Sequence, residues 1–211
     1  MYIIARLIIT AVVIALASVI CFSLLKKGRK IIACILSMIF LSGTCALWIL
    51  PVENCLLRFN QAADSFQYVH MFTQEKIVVP YDNGAVIIYY ENDSSYIDIV
   101  EMDNRGYKAY SPFVRHLDSL KFDMDGFVLI SKRLPQSEVY FVCIVYTVFD
   151  DPKLNKDKFF VDTITDIYNN QFSVFDYSVS KGFKQKGFYA FTMLDIHNYE
   201  LYINRKEYSL K

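Results

Sequence analysis

Acidic residues are missing from the first 51 positions, where only Arg6, Lys26, Lys27, Arg29 and Lys30 carry charge. All 22 acidic residues follow, with 17 of the 22 basic ones, so a formal net charge of zero divides into +5 and −5. That split is the mark of a membrane piece joined to a water-facing piece. Glycine is scarce, at seven residues, and the three histidines His70, His116 and His197 are far apart. These shortages argue against glycine-rich phosphate loops and H-E-x-x-H-type metal sites. No G-x-S-x-G elbow or cysteine motif supplies a nucleophile to go with His116 and Asp118. The only tryptophan, Trp48, sits in the apolar N-terminal part, so the Cys…Trp…Cys hallmark of true immunoglobulin domains is lacking. The chemistry that is missing points away from an enzyme and implies no cofactor and no metal.

What is present begins with two apolar runs, residues 2–25 and 31–50, the second without any charge. A bilayer core of roughly 30 Å needs about 20 helical residues, so each run predicts a membrane span. Between them lies a cytoplasmic loop, residues 26–30, in which Lys26, Lys27, Arg29 and Lys30 set the topology, because short cationic loops stay inside. Both termini and everything from Pro51 onward are then expected outside the plasma membrane. Arg6 is placed to snorkel its guanidinium to the headgroups, and Trp48 to mark the interface. A cleaved signal peptide is disfavoured: the charges follow the apolar run, the run is too long, and a second one comes after it. The small-residue pairs Ala11/Ala15, Ala33/Ser37 and Ser42/Ala46 are candidates for helix packing. Cys21, Cys34 and Cys45 read as apolar packing residues. Cys55 and Cys143 either pair or stay separate thiols; their spacing requires no bond.

Residues 52–211 are rich in Tyr, Phe, Ile and Val with turn signals every eight to twelve positions, which predicts mostly antiparallel β structure. One helix precedes the strands, N-capped by Asn60, with Phe59, Ala62, Phe66, Val69 and Phe72 on its apolar face. A hairpin follows over 76–81 and 85–90 with Asn83-Gly84 as a type I′ turn, Pro80 marking an edge strand. Strands at 96–102 and 107–110 flank the turn Asp103-Asn104-Arg105-Gly106, while residues 113–125 read as helix or strand equally. Strands follow at 127–131, 139–149, 161–168, 172–179, 188–196 and 199–205. The second of these is apolar on both alternating sets, which predicts a strand covered on both faces. The chain is therefore read as a transmembrane helical hairpin (1–51), a helix plus β-meander (52–133) and a β-sandwich-like module (134–211) with an immunoglobulin-like arrangement as one form it could take.

Few residues carry a binding signal. Lys181, Phe183, Lys184 and Lys186 form the only basic cluster beyond the N-terminal part and are candidate contacts for an anionic ligand. Their bland reading is a solvated hairpin loop at 180–187 whose lysines discourage edge pairing. Asp123-Met124-Asp125-Gly126 resembles a piece of a calcium loop, but Lys121 and Lys132 would occupy ligand positions, so a turn is the better reading. Tyr89, Tyr90, Tyr96, Tyr107, Tyr110 and Tyr202 would make a carbohydrate platform only if they share an exposed face. A net acidic outer part argues against nucleic acid as a partner.

The junction Pro51-Val52-Glu53-Asn54-Cys55-Leu56-Leu57-Arg58-Phe59, with Phe66-Gln67-Tyr68 after it and Leu201-Tyr202-Ile203-Asn204 near the end, resembles uncharacterised two-span membrane-anchored proteins of low-GC Gram-positive bacteria. The segment from Gln61 to Ser65 departs from them in lacking a helix-opening proline. The resemblance implies a bacterial plasma membrane and an extracytoplasmic domain; it brings no activity and no site residues. The expected function is recognition of a protein, peptide or envelope component by a tethered module. The alternatives are a structural subunit of a membrane complex and an envelope hydrolase or transferase without a recognisable motif.

Overall fold

The computed structural model describes residues 2–49, 52–55, 57–70, 73, 76–91, 94–109, 119–124, 126–149, 153, 160–180, 183–193 and 198–209. Pro51, Phe72, Tyr110, His116, Lys181 and His197 lie outside the described residues, as does the side chain of Trp48. The chain divides into two compact units, one formed by 1–72 with 102–115 and the other by 73–101 with 116–211.

The first unit opens with helices α1 (Tyr2–Lys26) and α2 (Lys30–Ile49). Gly28 stops α1: its φ of +72° is left-handed. The Gly28 amide bonds the Leu25 carbonyl and the Arg29 amide the Leu24 carbonyl, both at 3.0 Å, so the free carbonyls of the last turn are satisfied. Along α1 the shielded residues are Arg6, Thr10, Val13, Ala17, Cys21 and Leu24, a stripe at helical spacing; Ala33, Leu36, Phe40 and Thr44 are the shielded residues of α2. Cys21 Sγ lies 3.2 Å from Ser37 Oγ, fixing the contact between the two helices. Of the expected packing pairs only Ala33/Ser37 sits there; Ala11, Ala15, Ser42 and Ala46 are exposed, because the helical period turns them away from the seam. Arg6 differs from expectation too: it is 2 % exposed, covered by protein rather than extended outward. The Arg6–Lys26 segment is long and apolar enough to cross a membrane, with mean hydropathy 2.8, while the apolar stretch of α2, Lys30–Ala46, is shorter.

A 3-10 turn, Val52–Cys55, leads to α3 (Ala62–Val69). The N-cap is Gln61, not Asn60, and it makes no side-chain capping bond. Phe66 is fully buried and stacks on the His70 ring at 4.3 Å, so His70 is a packing residue.

In the second unit the strands are β1 (Lys76–Tyr81), β2 (Gly84–Glu91), β3 (Ser94–Asp103), β5 (Ser119–Met124), β6 (Phe127–Arg133), β7 (Val139–Phe149), β8 (Ile164–Asp166), β9 (Ser173–Ser180), β10 (Phe183–Met193), β11 (Glu200–Ile203) and β12 (Lys206–Ser209). The short β4 (Gly106–Tyr107) pairs with the end of β3 in the first unit. All pairings are antiparallel, in sheets ordered β1-β2-β3-β4, β5-β6-β7-β10-β9 and β12-β11-β8. The five-stranded sheet is the middle layer. Its inner residues Ile130, Phe141, Cys143 and Val145 pack with Val86, Ile88, Ile97 and Ile99. On its other face Leu129, Val142 and Ile144 pack with Tyr199, Leu201 and Ile203. Each such fully buried aliphatic or aromatic side chain contributes about 1.5–3 kcal/mol.

Several sequence expectations need correction. A boundary at 133/134 runs through one sheet, since Arg133 pairs with Tyr140 across β6 and β7. An immunoglobulin-like pair of sheets is replaced by three layers, because β7 is apolar on both faces and draws a sheet to each. The β1–β2 turn is Asp82-Asn83, with Tyr81 opposite Gly84 and neither turn residue at positive φ. Glycine is needed at 84 for approach instead: a Cβ there would stand 2.1 Å from the Val100 carbonyl oxygen. Residues 199–205 are not one strand, since Asn204 and Arg205, at φ 51° and 67°, form the turn into β12. Cys55 is an exposed free thiol and Cys143 a buried one, and burial pushes the Cys143 thiol pKa up.

Gly187 in β10 tests the tightness of the middle layer. A Cβ there would lie 2.2 Å from the Ile144 carbonyl oxygen and 2.4 Å from the Phe175 ring. Gly187→Ala is expected to destabilise the module by about 1–3 kcal/mol, read as a lower denaturation midpoint.

Candidate functional site

The first unit is tied together just after α2. Asn54 donates from Nδ2 to the Ala109 carbonyl at 3.0 Å and accepts from the Ala109 amide at 2.6 Å, so a side chain completes a two-bond bridge. Phe59 and Tyr107 exchange backbone bonds of 2.9 Å each, and Ser65 Oγ donates to the Lys108 carbonyl at 2.5 Å. Arg58 grips Asp103 from Nε at 3.1 Å and Nη2 at 2.7 Å, while Nη1 donates to the Asn54 and Leu57 carbonyls. Gly106 permits this closeness, because a Cβ would meet the Phe59 carbonyl oxygen at 2.7 Å. Three residues of the junction after the apolar runs, Asn54, Arg58 and Phe59, thus act as the clamp. Its role is positional, and among the described residues it gathers no reactive group.

Two buried carboxylates occur in the second unit. Asp98, fully buried, accepts from Tyr89 OH at 2.9 Å and lies 3.6 Å from Lys132 Nζ. Asp166 accepts from the Tyr168 and Asn170 amides and from Tyr199 OH at 3.1 Å. Burial, with Asp166 alongside, pushes the Tyr199 hydroxyl pKa far up. Both carboxylates are saturated by structural donors, which suits scaffolding rather than proton transfer.

The basic cluster falls in a strand instead of a loop. Phe183, Lys184 and Lys186 belong to β10, which is flanked by β7 and β9, so no sheet edge exists there for lysines to protect. Lys184 Nζ is 3.7 Å from Asp176 and Phe183 packs on Phe149 at 6.2 Å. Of the described tyrosines, Tyr89 is buried and donates to Asp98, Tyr107 belongs to the clamp, and Tyr202 donates to Glu200. Among the described residues no three His, Cys, Asp or Glu side chains gather as metal ligands.

What sequence reading missed is a groove of about 490 Å³ in the second unit. One wall is Tyr90, Ser94 and Ser95 from β2 and β3; the other carries Lys121 and Asp123 from β5, with Thr147 and Gln185 on β7 and β10. Gln185 is 6 % exposed and donates from Nε2 to Thr147 Oγ1 at 3.0 Å. Phe127 and Tyr146 also border the groove, with rings packed on Tyr208 and Phe188 in the opposite core, while Tyr90 packs against the inner core. The groove exists because the inner face turns polar at one end: Val145 gives way to Thr147, and Gly187 to Gln185. Asp123 and Met124 are the last residues of β5, paired with Val128 and Phe127, and Gly126, at φ +92°, stands in the turn into β6. Comparison with family profiles, curated proteins and solved structures yields no significant match.

The clamp makes a pH prediction. Hydrogen bonds from Arg58, then the Arg105 amide, hold the Asp103 carboxyl far below the ordinary carboxylate range. A depressed folded value means stabilisation that is present above the unfolded value of about 3.9 and lost as pH falls from there toward the folded value. The midpoint difference between the natural chain and Asp103→Asn is therefore expected to be constant above pH 5 and to shrink toward pH 3.

Proposed function

We propose that this chain is a membrane-tethered recognition module: α1 and α2 cross the bacterial plasma membrane as a hairpin, the cationic tip stays inside, and the β module binds a protein, peptide or envelope component outside. The observation that carries the recognition reading is the groove, a concave surface with hydrogen-bonding groups from three strands of the middle sheet and no catalytic constellation among the described residues. Support for the anchor comes from the outward surface of the helices. Ile8, Val12, Val19, Phe22, Ile31 and Met38 are among many large side chains exposed there, far more apolar surface than a water-facing helix pair carries. Their hydroxyls need no water either. Ser18, Ser37, Ser42 and Thr44 each donate to the carbonyl four residues back, at 2.8–2.9 Å, as a hydrocarbon environment demands. The tip cations Lys26, Lys27, Arg29 and Lys30 are all exposed, in keeping with their role in setting orientation.

Sidedness decides the reading. With Cys55→Ser as background, Ser209→Cys is expected to react with an impermeant maleimide in intact cells, and Lys27→Cys only after lysis. The reverse pattern would overturn an outward-facing module.

A further inference from the structure

Resting on the groove as the recognition surface, we infer that its ligand is an extended peptide carrying one cationic and one anionic side chain two residues apart. Among the described residues, Lys121 and Asp123 are the charges lining the groove. Both are exposed, and neither makes an ion pair or side-chain hydrogen bond with another described residue. They lie two positions apart in β5, hence on one face, with their Cα atoms about 6.8 Å apart at the rise of an antiparallel strand. That spacing is the period of an extended peptide, whose alternate side chains repeat at the same interval. A segment running alongside β5 can set an anionic group against Lys121 and a cationic one against Asp123.

The remaining lining suits an amide backbone. Ser94, Ser95 and Thr147 offer hydroxyls, Gln185 is held in place by Thr147, and Val128 and Val145 supply apolar floor. A neutral glycan fits less well, since the described rings bordering the groove, Tyr90, Phe127 and Tyr146, are each packed against a core. Charges on terminal strands also discourage strand pairing, but that role needs no groove over them.

The test uses the full chain in lipid nanodiscs and two capped pentapeptides, Ala-Lys-Thr-Glu-Ala and Ala-Glu-Thr-Lys-Ala, titrated by calorimetry. With the segment antiparallel to β5, as the pairings of this sheet run, Ala-Lys-Thr-Glu-Ala is expected to bind at least about tenfold more tightly, since in that direction the other order sets like charges together. The double variant Lys121→Asp, Asp123→Lys keeps the net charge and is expected to invert the preference, with an unchanged melting midpoint showing that it folds. Equal affinity for both orders, or binding of neither, overturns the inference. So does chitotetraose binding that the exchange leaves unaltered, which would make the groove a glycan site. These outcomes are independent of the maleimide pattern, so the ligand class and the outward-facing module can fail separately.

Discussion

Burying both faces of Val139–Phe149 organises the second unit, because a strand with no polar face must find a layer of protein on each side. Phe141, Cys143 and Val145 commit to one core, Val142 and Ile144 to the other, and all five are at most 2 % exposed. Neighbouring β6 repeats the pattern with Leu129 and Ile130. Cores of this kind are filled to near-crystalline density, so shifts in one layer are felt in the other.

The groove follows from where that constraint lapses. Beyond Val145 the inner face carries Thr147 opposite Gln185, and the β2–β3 end offers Ser94 and Ser95 in place of Ile97 and Ile99. Polar side chains there keep the walls from closing on each other. The same sheet therefore provides a rigid support and, at one end, a wetted recess lined from several strands. Rigid strands hold such groups more accurately than loops do.

Much of this order was readable in the sequence because it depends on local period. The double apolar pattern at 139–149, the edge position of Pro80 and the Asp103–Gly106 turn all express spacing along one strand or one turn. The errors arise where a distant partner decides. Asn83-Gly84 is a good type I′ signal, yet Gly84 is needed under the Val100 carbonyl, which shifts the turn by one residue. Ser180–Gly187 has loop composition, but Lys184 and Lys186 alternate with the inward-facing Gln185 and Gly187, and β7 and β9 on either side make Phe183 to Gly187 strand. Asn54, Arg58 and Asp103 look ordinary in the sequence; only the 45-residue return of the chain brings Arg58 to Asp103. The groove was invisible for the same reason, its walls coming from strands far apart in the chain.

Native-state hydrogen exchange tests the central claim most directly. If the doubly covered strand supports both cores, the amides of residues 141–145 exchange only through global unfolding, at the free energy measured by denaturant, and more slowly than those of β1 or β12. Faster exchange there than in the outer sheets, or loss of one outer sheet with no change in the other, would contradict the three-layer account.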